Sequence, residues 1–172
     1  NPQYISRADI SDEEIAKMRE ITIDSALNDP ASLPKPIQNE LYTKVETEKL
    51  FSDEDLAILA EKKNDKYLYN FLSKEAIAKL AELALAAKAS YVDNKIFAGL
   101  VEGRISKQLK EICLLDQTYV KAEDGKQTVA AYFASVNKDL VVSKFVRFEV
   151  GEGMEKKNED FAAEVAAQMA NA

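Results

Sequence analysis

The chain has 172 residues, 47% of them apolar and 31% charged, with a formal net charge of −7, no histidine and one cysteine. That is one domain's worth of chain with apolar content enough for a sizeable core, which excludes an intrinsically disordered polymer. The acidic balance argues against nucleic-acid and anionic-membrane surfaces, which need clustered Lys and Arg. No apolar run approaches the roughly 20 residues that span a bilayer, and His triads, His general bases, most zinc sites and paired-cysteine centres lack the residues to build them.

Five glycines and four prolines are few breakers for this length, so an Ala-, Leu-, Glu- and Lys-rich chain of this kind is expected to be mostly helical. Ser11 and Glu14 form a capping box that opens a helix to about residue 27, with Ile15, Met18, Thr22 and Ala26 on one face. Asn28-Asp29-Pro30 stops it, and Pro34 and Pro36 keep the chain extended or turning. A polar helix is predicted over 37–51. Ser52, with Asp55 three positions on, opens another whose stripe is Leu56, Leu59, Ala60, Tyr67 and Phe71. Ser73 caps a further helix, with Ile77, Leu80, Ala81, Ala84 and Ala87 facing one way. Antiparallel pairing of these helices predicts a helical hairpin, coiled-coil-like arm over 37–90.

Asp93 is the expected cap of the longest helix, about 94–114, with Phe97, Val101, Ile105, Leu109 and Ile112 recurring every three or four residues. Gly103 inside it costs about 1 kcal/mol relative to alanine and reads as a point where another backbone packs closely. Glu102, Arg104, Lys107, Lys110 and Glu111 read as a solvated face, and Cys113 as a small buried hydrophobe. Glu123-Asp124-Gly125 makes a turn, and Thr128 begins a short helix to about residue 136.

Over 140–150 the texture changes. Val146, Phe148 and Val150 alternate with Arg147 and Glu149, the period of a strand with one buried face, which makes Phe148 and Val150 core candidates. Gly151-Glu152-Gly153 ends the run. One strand cannot satisfy its own backbone groups, so its partners come from 117–121, from a second copy or from sequence upstream. The opening Asn1-Pro2, without an initiating Met, favours the last. Asn158 then caps a final helix with Glu159 and Asp160 in its first turn. Phe161, Val165 and Met169 form a narrow apolar ridge on it, free to dock on its own body or on a partner.

Little covalent chemistry is available to this chain. Gly151-Glu152-Gly153 lacks the further Gly and the Lys-Ser/Thr of a phosphate loop. The acids lie on caps and polar faces and frame no cleft for paired-carboxylate work. The expectation is no catalysis, no cofactor and no metal. With no basic-then-apolar leader and one unpaired cysteine, a reducing cytoplasm is expected.

Phe145-Val146-Arg147-Phe148-Glu149-Val150-Gly151-Glu152-Gly153-Met154-Glu155-Lys156 resembles, without interruption, the closing signature of bacterial translation elongation factor Ts. Asp160-Phe161-Ala162-Ala163-Glu164-Val165 is similar to that family's terminal helix. Val101-Glu102-Gly103-Arg104 resembles a second family motif, and Leu114-Leu115-Asp116-Gln117 with Tyr119-Val120-Lys121 the stretch after it. Residues 1–30 are similar more loosely. Residues 37–90 match nothing placed and read as an enlarged form of the family's helical arm.

The resemblance implies a non-enzymatic guanine-nucleotide exchange factor whose partner is elongation factor Tu in its GDP form. Family members eject the nucleotide with an Asp-Phe pair in a Thr-Asp-Phe-Val motif. This sequence does not contain that motif, and Asp160-Phe161 match the terminal helix instead. The family's terminal helix packs on the GTP-binding domain, which implies docking by Asp160, Phe161, Val165 and Met169. Glu102, Gly103, Arg104, Arg147, Phe148, Gly151 and Gly153 are implied as structural motif residues.

The fold class expected is α+β, mainly α: a core helix and linker over 1–36, a helical arm over 37–90, core helices and one strand over 91–153, and a docking module over 154–172. The functional expectation is a C-terminal piece of the exchange factor that docks without the ejecting wedge. A helical dimerisation module pairing with a second copy is the alternative.

Overall fold

The computed structural model describes residues 2–151 and 153. They fall into two units divided between Val141 and Val142. The first unit is helical: α1 (Asp12–Leu27), α2 (Lys35–Glu48), α3 (Asp53–Lys62), α4 (Lys74–Ala86), α5 (Lys88–Val92), α6 (Lys95–Ile112) and α7 (Val129–Val136), with single 3-10 turns at Arg7–Asp9, Pro30–Ser32, Leu68–Asn70 and Leu114–Asp116.

The helix starts follow from short polar side chains that satisfy free backbone amides. Ser11 accepts from the Glu14 amide at 3.2 Å while the Glu14 carboxylate accepts from the Ser11 amide at 3.1 Å, the reciprocal box the sequence predicts. Ser52, Ser73 and Thr128 cap α3, α4 and α7 by accepting from the amide three residues on, without a reciprocal bond to their own amide. At α6 the expected cap is off by one. Asn94 Oδ1 accepts from the Ile96 and Phe97 amides, whereas Asp93 closes α5.

One core joins helices α1 through α6. α1 packs on α6 and α4, and α4 also meets α2 and α5. Leu27, Ile37, Tyr42, Val45, Leu59 and Leu80 are among its fully buried side chains. The helical arm expected over 37–90 is therefore not what the described residues show. The buried apolar residues of α2, α3 and α4 share a single cluster with Ala26, Phe97 and Val101. The stripe expected to run on to Tyr67 and Phe71 breaks because α3 ends at Lys62, and both aromatics are exposed.

The buried polar groups are paired. Gln38 Nε2 donates to the Pro30 and Ala31 carbonyls at 2.9 and 3.0 Å, and Tyr42 donates to Tyr69, which donates to the Pro30 carbonyl. No buried side-chain nitrogen or oxygen among the described residues lacks a partner. Cys113 is buried, as expected, and burial pushes its thiol above the usual range.

The strand expected over 140–150 is absent as a paired element. Residues 141–149 carry no regular secondary structure, and the described residues hold only two isolated bridges, Tyr4 with Cys113 and Thr118 with Thr128. The 117–121 stretch thus pairs with the start of α7, and among the described residues no strand pairs with 140–150. Phe148 and Val150 are correspondingly exposed instead of core, Phe148 at 89%. Period-two geometry survives locally: Arg147 Nη2 lies 2.8 Å from Glu149 Oε2, because residues two apart share a side of an extended chain. Gly151 and Gly153 sit at φ +85° and +79°, a backbone conformation that L side chains rarely adopt, so the turn itself explains these glycines.

Candidate docking surface

The candidate site is surface that the core does not explain. Groups of acids and Cys able to hold a metal are absent among the described residues, and no described helix is long and apolar enough to cross a membrane. One groove of about 650 Å³ lies where α3 and α4 begin, lined in part by Leu50, Ile58 and Phe71 with Glu54 and Glu75. Its acids occupy first helical turns, where carboxylates complement the dipole, so the fold accounts for them.

The stretch from residue 117 to the end of α7 is different. The chain turns back on itself: the Tyr119 amide donates to the Gln127 carbonyl at 2.8 Å, and the Val129 amide to the Gln117 carbonyl at 2.9 Å. The turn is set by Asp124, whose Oδ1 accepts from the Lys126 and Gln127 amides at 2.9 Å each, and by Gly125 at φ +64°. Those amide bonds hold the Asp124 carboxyl below the ordinary range. Thr128 then caps α7.

α7 is composed of seven apolar residues and Ser135, yet none of the eight is buried. The Tyr119 ring stacks on Tyr132 with centroids 4.1 Å apart and planes 15° apart, and Phe133 lies 5.9 Å from Tyr132. A hydrogen bond with the Tyr132 hydroxyl pushes the Tyr119 phenol up. Between hairpin and helix runs a groove of about 750 Å³, with Ala131, Tyr132 and Ser135 on the helix side and Lys121 and Lys126 on the hairpin side. Val120 projects beside it, 97% exposed, and Val136 and Leu140 continue the exposed apolar surface.

The residues singled out from sequence separate into three groups. Glu102 pairs with Arg19 of α1, and Arg104 Nη2 donates to Ser32 Oγ at 2.5 Å, so this motif ties α6 to α1 and to the Pro30–Ser32 turn. Gly103 between them does not admit a close neighbour: a Cβ there would meet nothing within 4 Å, because the position lies on the solvent side of α6. Arg147, Phe148, Gly151 and Gly153 belong to the second unit described above. Asp160, Phe161, Val165 and Met169 lie outside the described residues. The groove residues Lys126 and Tyr132 went unnoticed in the sequence; an apolar helix immediately after a turn was the available signal.

Comparison with known proteins adds the family. The family model described as Elongation factor TS matches residues 1–152. A protein named Elongation factor Ts from Finegoldia magna is 30% identical over 171 residues, covering 98% of this chain and 53% of that protein. One from Alkaliphilus metalliredigens is 55% identical over 79 residues, 45% of this chain and 37% of the relative. One from Acidovorax is 56% identical over 77 residues, 45% of this chain and 25% of the relative. No solved structure matches the chain significantly. The chain thus spans about half or less of the curated relatives it matches.

Proposed function

Because this chain belongs to the elongation factor Ts family, we propose that it is the part of a guanine-nucleotide exchange factor that docks on elongation factor Tu in its GDP form during protein synthesis. What supports the reading is the family match over residues 1–152, together with the apolar helix α7, none of whose eight residues is buried. The ridge Phe161, Val165 and Met169, with Asp160 beside it, is proposed as the handle laid on the GTPase. The 140–150 segment is proposed to become a strand when the rest of the parent protein supplies its neighbours. That role suits its alternating pattern and its unpaired backbone.

The physics of exchange is reciprocal. A factor that binds the nucleotide-free GTPase more tightly than the GDP form weakens GDP binding by the same ratio. Docking alone gives no such difference; a group that intrudes on the nucleotide site does. This sequence contains no Thr-Asp-Phe-Val motif, so the chain is expected to bind elongation factor Tu and to accelerate GDP release little. Binding by calorimetry and release of labelled GDP test the two halves. Rapid release by this chain alone refutes the missing wedge, and full binding after Phe161, Val165 and Met169 are all made polar refutes the handle.

A further inference from the structure

We propose that residues 3–7 form a latch on the Leu114–Asp116 turn. The latch holds that turn, and with it the 117–129 hairpin and α7, on the helical core, and this part opens as a unit of its own when the latch is released. Among the described residues, none after Cys113 belongs to the apolar cluster that joins the other helices. α7 buries no residue and meets the rest of the fold chiefly at the Leu114–Asp116 turn. A part with so few buried apolar contacts lies at the low-stability end of a fold and opens before the core does.

The turn is held from the far end of the chain. α6 leaves carbonyls of its last turn without a partner inside the helix, and the Ile112 carbonyl accepts from the Gln3 and Tyr4 amides at 2.7 and 3.0 Å. The Leu114 and Leu115 amides donate in return to the Tyr4 and Ile5 carbonyls at 2.9 and 3.0 Å. Arg7 Nε then donates to Asp116 Oδ2 at 2.5 Å. From the turn the bonds run outward. Gln117 Nε2 donates to the Glu111 carbonyl, and the Gln117 carbonyl accepts from the Val129 amide at the start of α7, both at 2.9 Å. The latch is itself anchored on α1, where the Tyr4 hydroxyl donates to Glu14 Oε1 at 2.7 Å.

Polar bonds, more than burial, therefore keep this part closed. The Arg7 and Asp116 side chains are 47% and 28% exposed, so a competing charge reaches the pair without disturbing the core. The coupling is reciprocal: a contact that draws residues 3–7 away loosens α7, and a partner that favours the closed position of α7 tightens the latch. None of this depends on the GTPase reading.

Amide hydrogen exchange of the whole chain, read residue by residue by NMR, tests the latch without any partner. In the wild type the Tyr119, Val129 and Tyr132 amides, each bonded within the hairpin or α7, are expected to share one protection level, about tenfold or more below that of α2 and α4. Arg7→Glu sets two carboxylates face to face and is expected to lower protection at those three amides about fivefold, with α2 and α4 unchanged. Arg7→Glu/Asp116→Arg restores the pair with its ends exchanged and is expected to bring protection back. Tyr4→Pro deletes an amide donor and the bond to Glu14, and is expected to lower protection of the same amides about tenfold. Unchanged protection in both Arg7→Glu and Tyr4→Pro overturns the latch. An equal loss in α2 and α4 also overturns it, because residues 3–7 would then support the core as a whole.

Discussion

Asp55 is the polar residue on which the middle of the fold depends, and replacing it tests that directly. Its side chain lies at 6% residue exposure between the first turns of two helices. Oδ2 accepts from the Ser52 hydroxyl at 2.9 Å and the Ser73 hydroxyl at 2.7 Å, and Oδ1 accepts from the Ser73 amide at 2.9 Å. Ser52 and Ser73 are themselves the caps of α3 and α4, so one carboxylate holds both caps in place across 18 residues of chain. Hydrogen bonds to a charged acceptor contribute about 1.5–3 kcal/mol each, which sets a gross loss of about 4.5–9 kcal/mol for Asp55→Ala. Removing the charge also relieves its own desolvation, and the adjoining groove lets water reach Ser73. The net cost is therefore about 2–4 kcal/mol. Asp55→Asn keeps one acceptor for the Ser73 amide and costs about 1–2 kcal/mol. Urea unfolding at pH 7 reads both values. An alanine variant within about 0.5 kcal/mol of wild type would refute the claim that this carboxylate joins the two helices.

The same contacts give a pH dependence with a definite sign. Burial pushes the Asp55 carboxyl up, but the bonds from the Ser73 amide, the Ser73 hydroxyl and the Ser52 hydroxyl together outweigh it and hold the group below its ordinary value. A depressed native pKa means that the unfolded chain binds more protons between the two values, so stability rises with pH there. The contribution is whole above the unfolded value, near pH 4, and is lost as pH falls through the lower native one. The stability gap between wild type and Asp55→Asn should be full at pH 7 and shrink below pH 4. A gap that stays constant from pH 7 to pH 2.5 contradicts the assignment.

Two further substitutions probe backbone positions. Gly103→Ala adds a methyl where nothing lies within 4 Å on an exposed helix face, so thermal melting should show a gain of about 0.5–1 kcal/mol. Destabilisation would mean that the position is packed after all. Lys49 closes α2 in the left-handed region at φ 52°, ψ 50°, and Lys49→Gly should stabilise the chain by about 0.5–1 kcal/mol in the same assay, because only glycine adopts that conformation without strain.

The sequence was most legible where one local interaction decides the outcome. Ser11 with Glu14, Ser52 with Asp55, Ser73 and Thr128 each begin a helix because the capping bond spans three residues and needs no tertiary partner. The face of α6 was legible for a similar reason: Phe97, Val101, Ile105 and Leu109 repeat at helical spacing and all four are buried. What depended on distant partners was not. The 140–150 run has the pattern of a strand, but a pattern supplies only half of a ladder, and no neighbour stands beside it among the described residues. The arm over 37–90 was inferred from helix order alone, which cannot tell a protruding hairpin from helices folded back on α1. The Lys121 and Lys126 groove depends on a reversal of chain at Asp124, which periodicity does not register.

The division between closed core and open surface bears on how such a chain would act. Between Ile10 and Cys113 the buried apolar side chains cover one another and the buried polar atoms are paired, while Ile21, Tyr67, Phe71, Val92 and Ile96 stay exposed around that core. From Val120 onward the chain leaves Val120, Val136, Val141, Val146 and Phe148 in water, and each is a standing cost that only another surface can relieve. Under the exchange-factor reading, the cost at 140–150 is relieved by strands of the parent protein, and whatever part the GTPase relieves fixes only how tightly the chain sits on it. A ligand with equal affinity for two states shifts neither. Contacts made equally with the GDP-bound and the empty GTPase raise residence time and leave the nucleotide where it is. The ridge of Phe161, Val165 and Met169 is thus expected to set affinity, while the rate of GDP release is set by whatever group reaches the nucleotide site.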